Sequence, residues 1–189
     1  VQELMGAPGS PYTRKMLAVM RFRHIPYRLE RNSRISGASE GEHKKKRVEP
    51  KVSLLPTFYY TGDDGAETAV TDSSPIIRRF EKEYEGRAII PSDPALAFID
   101  MLLEDFGDEW LTKAMFHYRW HYDADIKKGG DILPRWGGIA TPEDQVKPMS
   151  EFVRQRQISR LSYVGSNDVT KSTIEGSFKR FIHLLDKHL

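Results

Sequence analysis

Ser10-Pro11-Tyr12-Thr13-Arg14-Lys15 is the stretch whose residue types and spacing best support chemistry. Hydroxyls sit where a proline opens a helix-like segment, Arg14 to Arg23. A hydroxyl there can cap the helix by accepting a backbone N–H. It can also donate to an anion held by free N–H groups and the positive end of the helix dipole. Two further stretches carry polar backbone chemistry. Leu54-Leu55-Pro56-Thr57 puts a proline at the head of a β-rich run, which demands an edge, a bulge or a cis bend. Thr71-Asp72-Ser73-Ser74-Pro75 joins a strand end to N-cap candidates and a helix-initiating proline. The plain reading of Asp72, Ser73 and Ser74 is helix capping, and the plain reading of Ser10 is the same.

Two other clusters have weaker claims. His117 and His121 stand at i, i+4, a spacing that can hold a metal on one helix face with Asp123 or Asp125 nearby. Their aromatic neighbours Tyr118 and Trp120 favour packing, and no metal is expected. His43-Lys44-Lys45-Lys46-Arg47 is a basic run without interleaved aromatics, read as a solvated loop rather than a nucleic-acid patch.

The elements that must position these residues follow from periodicity. Leu4–Ala7 reads as a first strand. The helix after it buries Met16, Leu17, Val19, Met20 and Phe22. Tyr27–Glu30 alternates as a second strand, and 33–50 is a polar loop. Thr57–Tyr60 and Thr68–Val70 form a hairpin around Gly62-Asp63-Asp64-Gly65. The next helix buries Ile76, Ile77, Phe80 and Tyr84. Gly86–Pro94 is a linker. Beyond it, Ala95–Phe106 carries Leu96, Ile99, Leu102, Leu103 and Phe106 at helical spacing, and Trp110–Tyr122 continues as helix. Asp123–Pro148, with its glycines and prolines, reads as mostly irregular. Met149–Tyr163 is helical, and Ser172-Thr173-Ile174-Glu175 reads as a capping box opening the last helix. The domain division is therefore 1–88 and 94–189.

Composition excludes several classes. With 29 basic against 27 acidic residues, net +2, no global field favours nucleic acid or an anionic membrane. No apolar run approaches the roughly 18 residues of a membrane span. No cysteine is present, which removes disulfides and thiol exchange and fits a cytoplasmic protein. The chain starts almost inside its first strand, so a few leading residues are expected before it. Hydrophobic residues make up 39% and mean hydropathy is −0.56. Such polarity implies long polar loops, or apolar core outside this sequence.

Taken in order, the Ser10 turn, Leu55-Pro56 and Asp72-Ser73 resemble the glutathione-transferase family over roughly residues 3–90. The resemblance implies an α/β thioredoxin-like N-terminal domain with a four-stranded mixed sheet, then an all-helical C-terminal domain. It implies glutathione as co-substrate and a small electrophile as its partner in reaction. Ser10 would contact the thiol, with Tyr12 or Thr13 as substitutes. Leu55, before the cis-proline Pro56, would pair with the cysteinyl backbone. Asp72 and Ser73 would hold the γ-glutamyl end, while Tyr12 packs or lines the second-substrate pocket. The 117–121 segment could line that pocket too. A homodimer is expected, because the family commonly dimerises. The family's helical domain usually continues, through a buried helix opened by a Ser/Thr-x-x-Asp box. Nothing of that kind follows Leu189, so the chain reads as a fragment, a truncated relative or a chain lacking internal segments. The competing reading keeps the fold and drops catalysis: a binding or scaffolding module.

Overall fold

The computed structural model describes residues 1–31, 47–136 and 140–188. The expected loop 33–50 and the basic residues His43–Lys46 lie largely outside that range. Two compact units are present. The first comprises Val1–Pro91 with Arg135–Thr141, the second Ser92–Pro134 with Pro142–Leu189.

In the first unit, strands β1 (Gln2–Gly6), β2 (Tyr27–Arg31), β3 (Thr57–Thr61) and β4 (Glu67–Val70) form one sheet of order β2-β1-β3-β4. β1 and β2 run parallel, with Leu4 opposite Leu29. β3 is antiparallel to both β1 and β4, so the sheet is mixed, as the resemblance implied. Helices α1 (Pro11–Phe22) and α2 (Ser73–Glu83) pack on one another. The core between helices and sheet is Leu4, Met16, Met20, Ile25, Phe58, Ile76, Ile77 and Phe80. Phe80 meets Phe58 and Tyr84 edge-on, each at 5.8 Å between ring centres. Such contacts add about 1 kcal/mol each beyond area burial. Phe22 departs from the expected stripe. It is 48% exposed, under the Arg87 guanidinium at 4.4 Å.

Arg47 also departs from expectation. Its side chain is 7% exposed rather than solvated. It pairs with Glu3 of β1 at 2.5 Å, with Glu30 of β2, and with Glu67 of β4 at 2.6 Å. Its guanidinium lies 4.5 Å from the ring of Tyr59 on β3. One side chain therefore touches all four strands. The hydrogen bond to Glu30 is the chief reason that its already high pKa rises further, so it stays charged.

The second unit is helical, and no strand occurs among the described residues beyond β4. It contains α3 (Pro94–Phe106), α4 (Thr112–Trp120), α5 (Asp123–Ile132), α6 (Glu143–Ile158) and α7 (Lys171–His188). A π-turn over Gly107–Leu111 leads from α3 into α4. The irregular reading of Asp123–Pro148 is corrected: α5 and the first turns of α6 occupy most of it. Gly129 and Gly130 within it serve packing rather than turns. A Cβ on Gly129 would stand 3.1 Å from the buried Trp120 ring. One on Gly130 would stand 2.2 Å from Arg154 Nε. Arg154 crosses α5 there to reach Asp131. Pro148 lies inside α6. The helical reading of Met149–Tyr163 is shortened, because α6 stops at Ile158 and a 3-10 turn covers Leu161–Val164.

The capping box is displaced by one turn. Asn167 Oδ1 accepts from Thr170 N at 3.0 Å, and Asn167 N donates to Thr170 Oγ1 at 3.1 Å. That reciprocal pair opens α7 in place of Ser172 and Glu175. On α3 most apolar residues are exposed, although the Phe106 ring meets Phe181 of α7 at 5.4 Å between centres. No α3 residue is buried, and Leu96, Ile99 and Leu102 are 59%, 47% and 47% exposed.

Candidate functional site

Strand register brings the three polar stretches together. Met5 of β1 stands opposite Thr57 of β3, and Phe58 of β3 opposite Val70 of β4. The end of β1 that leads to Ser10, the start of β3 at Leu55-Pro56, and the end of β4 at Asp72 thus share one end of the sheet.

The first turn of α1 is fixed from within. Ser10 N donates to Ala7 O at 3.0 Å, and Ala7 N to the Thr13 hydroxyl at 3.4 Å. Thr13 is fully buried, so its hydroxyl serves this turn and is no substitute for Ser10. Gly6 accommodates it, since a Cβ there would fall 2.6 Å from Thr13 Cγ2. Ser10 is the N-cap. Its Oγ accepts from Thr13 N at 3.2 Å and donates to Leu55 O at 3.3 Å. Tyr12 sits in the same turn, partly exposed.

The Leu55–Pro56 bond is cis. Leu55 is partly exposed and Pro56 buried, so the carbonyl that meets Ser10 belongs to the open residue of the pair. Thr57 Oγ1 donates to Leu54 O at 2.8 Å and steadies the bend.

Asp72 caps α2, its Oδ1 accepting from Ser74 N at 3.3 Å. Its backbone lies at φ 80°, ψ 118°, a conformation that costs a non-glycine residue about 1–3 kcal/mol. Strain of that size concentrates at functional positions. Ser73 is 4% exposed behind it, while Asp72 faces solvent.

The histidine pair lies in the second unit and has another use. His117 is fully buried. Its Nδ1 is 2.7 Å from Ser166 Oγ and its Nε2 is 3.4 Å from Glu175 Oε1. The Tyr122 hydroxyl donates to the same carboxylate. That bond first, then those from His117 and the charge of Lys171, lowers the Glu175 pKa against a smaller opposing effect of burial. His121 stacks on His117 at 4.6 Å between ring centres. No group of three metal-binding side chains is assembled among the described residues.

Sequence reasoning missed Trp136. It lies in Leu133-Pro134-Arg135-Trp136, where proline and glycine dominate and no period marks it. Its ring lies against Gly9, beside Ser10.

No helix among the described residues is long and apolar enough to cross a membrane. No curated protein matches the sequence. Among the solved structures that resemble it are two of a glutathione transferase family member from Pseudomonas fluorescens Pf-5. One has S-(propanoic acid)-glutathione bound, with 15% identity and a TM-score of 0.35. The other has glutathione bound, with 17% identity and a TM-score of 0.36. They cover 85% and 87% of this chain, which spans 66% and 69% of theirs. Residues 4–88 match the family model described as glutathione S-transferase, N-terminal domain. The mixed sheet of order β2-β1-β3-β4 with α1 and α2 packed on one another gives residues 4–88 a thioredoxin-like fold, as the glutathione S-transferase N-terminal domain model that they match implies.

Proposed function

We propose that the first unit binds glutathione and activates its thiolate for attack on a small electrophile. The carrying observation is the 3.3 Å contact between the Ser10 hydroxyl and Leu55 O. It joins a hydrogen-bond donor at a helix N-terminus to the backbone edge that would pair with a cysteinyl residue. A bound cysteinyl N–H takes over Leu55 O as acceptor and frees the Ser10 hydroxyl for the sulfur. Donation to sulfur favours thiolate over thiol. The Asp72 carboxylate pairs with the γ-glutamyl ammonium, and the backbone N–H and hydroxyl of Ser73 receive the γ-glutamyl carboxylate. Tyr12 lines the approach, and Pro56 holds the bend. The thiol proton passes to water. The sulfur pair forms the new carbon–sulfur bond while the leaving group departs with its own electron pair.

In this reading residues 1–88 are the glutathione-binding domain and 94–189 a helical domain of a cytoplasmic, homodimeric transferase. One observation favours the non-catalytic module instead. Ser10 Oγ is already engaged as acceptor and as donor. Calorimetric titration with reduced glutathione, together with a conjugation assay on a generic aryl halide, tests both. Binding with turnover supports the enzyme. Binding without turnover supports the module, and absence of binding rejects the glutathione site.

A further inference from the structure

Two strained residues touch where the end of α1 meets the segment after α2. His24 lies at φ 57° and Arg87 at φ 44°, a region that residues with a side chain rarely adopt. His24 is held there by the backbone. Its N–H donates to Arg21 O at 3.2 Å and that of Ile25 to Met20 O at 2.8 Å, a pair of bonds that closes a helix end. Arg87 has no backbone bond of this kind among the described residues, so its side chain holds it. The guanidinium covers the Phe22 ring at 4.4 Å, and Nη1 lies 3.3 Å from His24 Nε2. Arginine can only donate, so this imidazole nitrogen accepts and carries no proton. The chain is fastened on either side of Arg87. Arg23 Nη2 donates to Tyr84 O at 2.6 Å and to Gly86 O at 3.4 Å, and Ile89 N donates to Glu81 Oε1 at 3.4 Å. Ile89 itself packs against the core.

We propose that His24 and Arg87 form a proton-sensitive clasp: neutral His24 holds Arg87 over Phe22, and a proton on Nε2 releases it and loosens the segment from Gly86 to Ile89. Protonation sets a donor against a donor and a cation against a cation. Histidine is the side chain whose charge changes between pH 5 and 8. Both His24 and Arg87 are exposed, so the proton arrives from solvent without any opening of the fold. The other ionisable groups at this corner are engaged elsewhere. Arg21 donates to the Tyr27 hydroxyl at 2.9 Å, and the Tyr84 hydroxyl accepts from Gln2 at 2.7 Å. Arg23 pairs with Glu81 at 2.6 Å. Glu85 is exposed and pairs with no group among the described residues. No described carboxylate therefore touches the His24–Arg87 pair, and a second cation there is repelled.

The test is proton NMR of the full chain between pH 8 and pH 5, at low ionic strength because salt screens exposed charges. At pH 8 the Phe22 ring current shifts the Arg87 Cδ protons upfield. As the pH falls they are expected to move to an unshifted position, along the same curve as the His24 Cε1 proton. Protection of the Ile89 N–H against exchange, corrected for the intrinsic rate, falls about three- to fivefold over that range. His24→Gln keeps a neutral acceptor at every pH, so the Arg87 protons stay shifted at pH 5. His24→Lys is a cation throughout and gives the released position at pH 8. Phe22→Leu abolishes the shift at both ends and so assigns it. Arg87 protons that hold one position from pH 8 to pH 5 in the parent overturn the clasp. So does an equal movement in His24→Gln.

Discussion

The Ser10 hydroxyl is held from two sides, and its removal has two separable effects. The first is structural. Without the acceptor for Thr13 N, the start of α1 loses a cap, and Ser10→Ala should lower stability by about 1 kcal/mol in a denaturant melt. The second belongs to turnover. If the hydroxyl stabilises the thiolate chiefly as it reacts, the conjugation rate at neutral pH should fall by about 10²–10³. Glutathione affinity should stay close to that of the parent, because in the proposed site Leu55, Asp72 and Ser73 would hold the rest of the peptide. A pH–rate profile separates the two effects. Cap loss alone shifts the melt and leaves the profile in place, whereas loss of the thiol donor moves its acid limb to higher pH.

Among the elements, two glycines in helices should respond to alanine in opposite directions. Gly130 of α5 lies under Arg154, and Gly130→Ala should destabilise by about 1–3 kcal/mol as the guanidinium is pushed off Asp131. Gly176 of α7 has no atom within 4 Å of its Cβ position, and Gly176→Ala should stabilise by about 0.5–1 kcal/mol. Paired thermal melts of the two variants check the contrast. Those glycines also explain what was legible. The β-α-β segment, the hairpin and α2 were readable because their apolar periods are clean and their turns carry their own chemistry. Asp123–Pro148 was not, because a glycine that admits a tryptophan or an arginine looks the same in sequence as one that makes a turn. Asn167-Asp168-Val169-Thr170 was overlooked for a similar reason. A threonine stands where the usual pattern has glutamate, and Ser172–Glu175 offered the more familiar box. Within the candidate site, Ser10, Leu55-Pro56 and Asp72-Ser73 were legible from local order as caps and a bend, and their binding roles rest on the resemblance. Trp136 and Arg47 were not, since what each touches lies 127 and up to 44 positions away in the chain.

Over the whole molecule, charge is nearly balanced, and stability depends on where a few charges are buried. Arg47→Met would remove the cation that Glu3, Glu30 and Glu67 share, while Glu3 keeps Arg28 at 3.3 Å. A loss of about 1–3 kcal/mol is expected in urea denaturation, read as an earlier midpoint for the first unit. The second unit has its own dependence on pH. The Glu175 pKa is lower in the folded chain than in an unfolded one, where it lies at about 4.3. Its contribution is therefore complete above that value and is lost as pH falls through the lower folded value. Glu175→Gln should reduce stability at neutral pH and flatten the acid side of a melting-temperature profile taken from pH 7 to 3. The buried His117 ring offers a last consequence. Both its nitrogens are engaged and the side chain has no solvent exposure. A ring N–H so enclosed exchanges with deuterium only when the helices around it open. Its decay in heavy water is thus a clock internal to the second unit, timing the separation of α4 from α7 without any label attached.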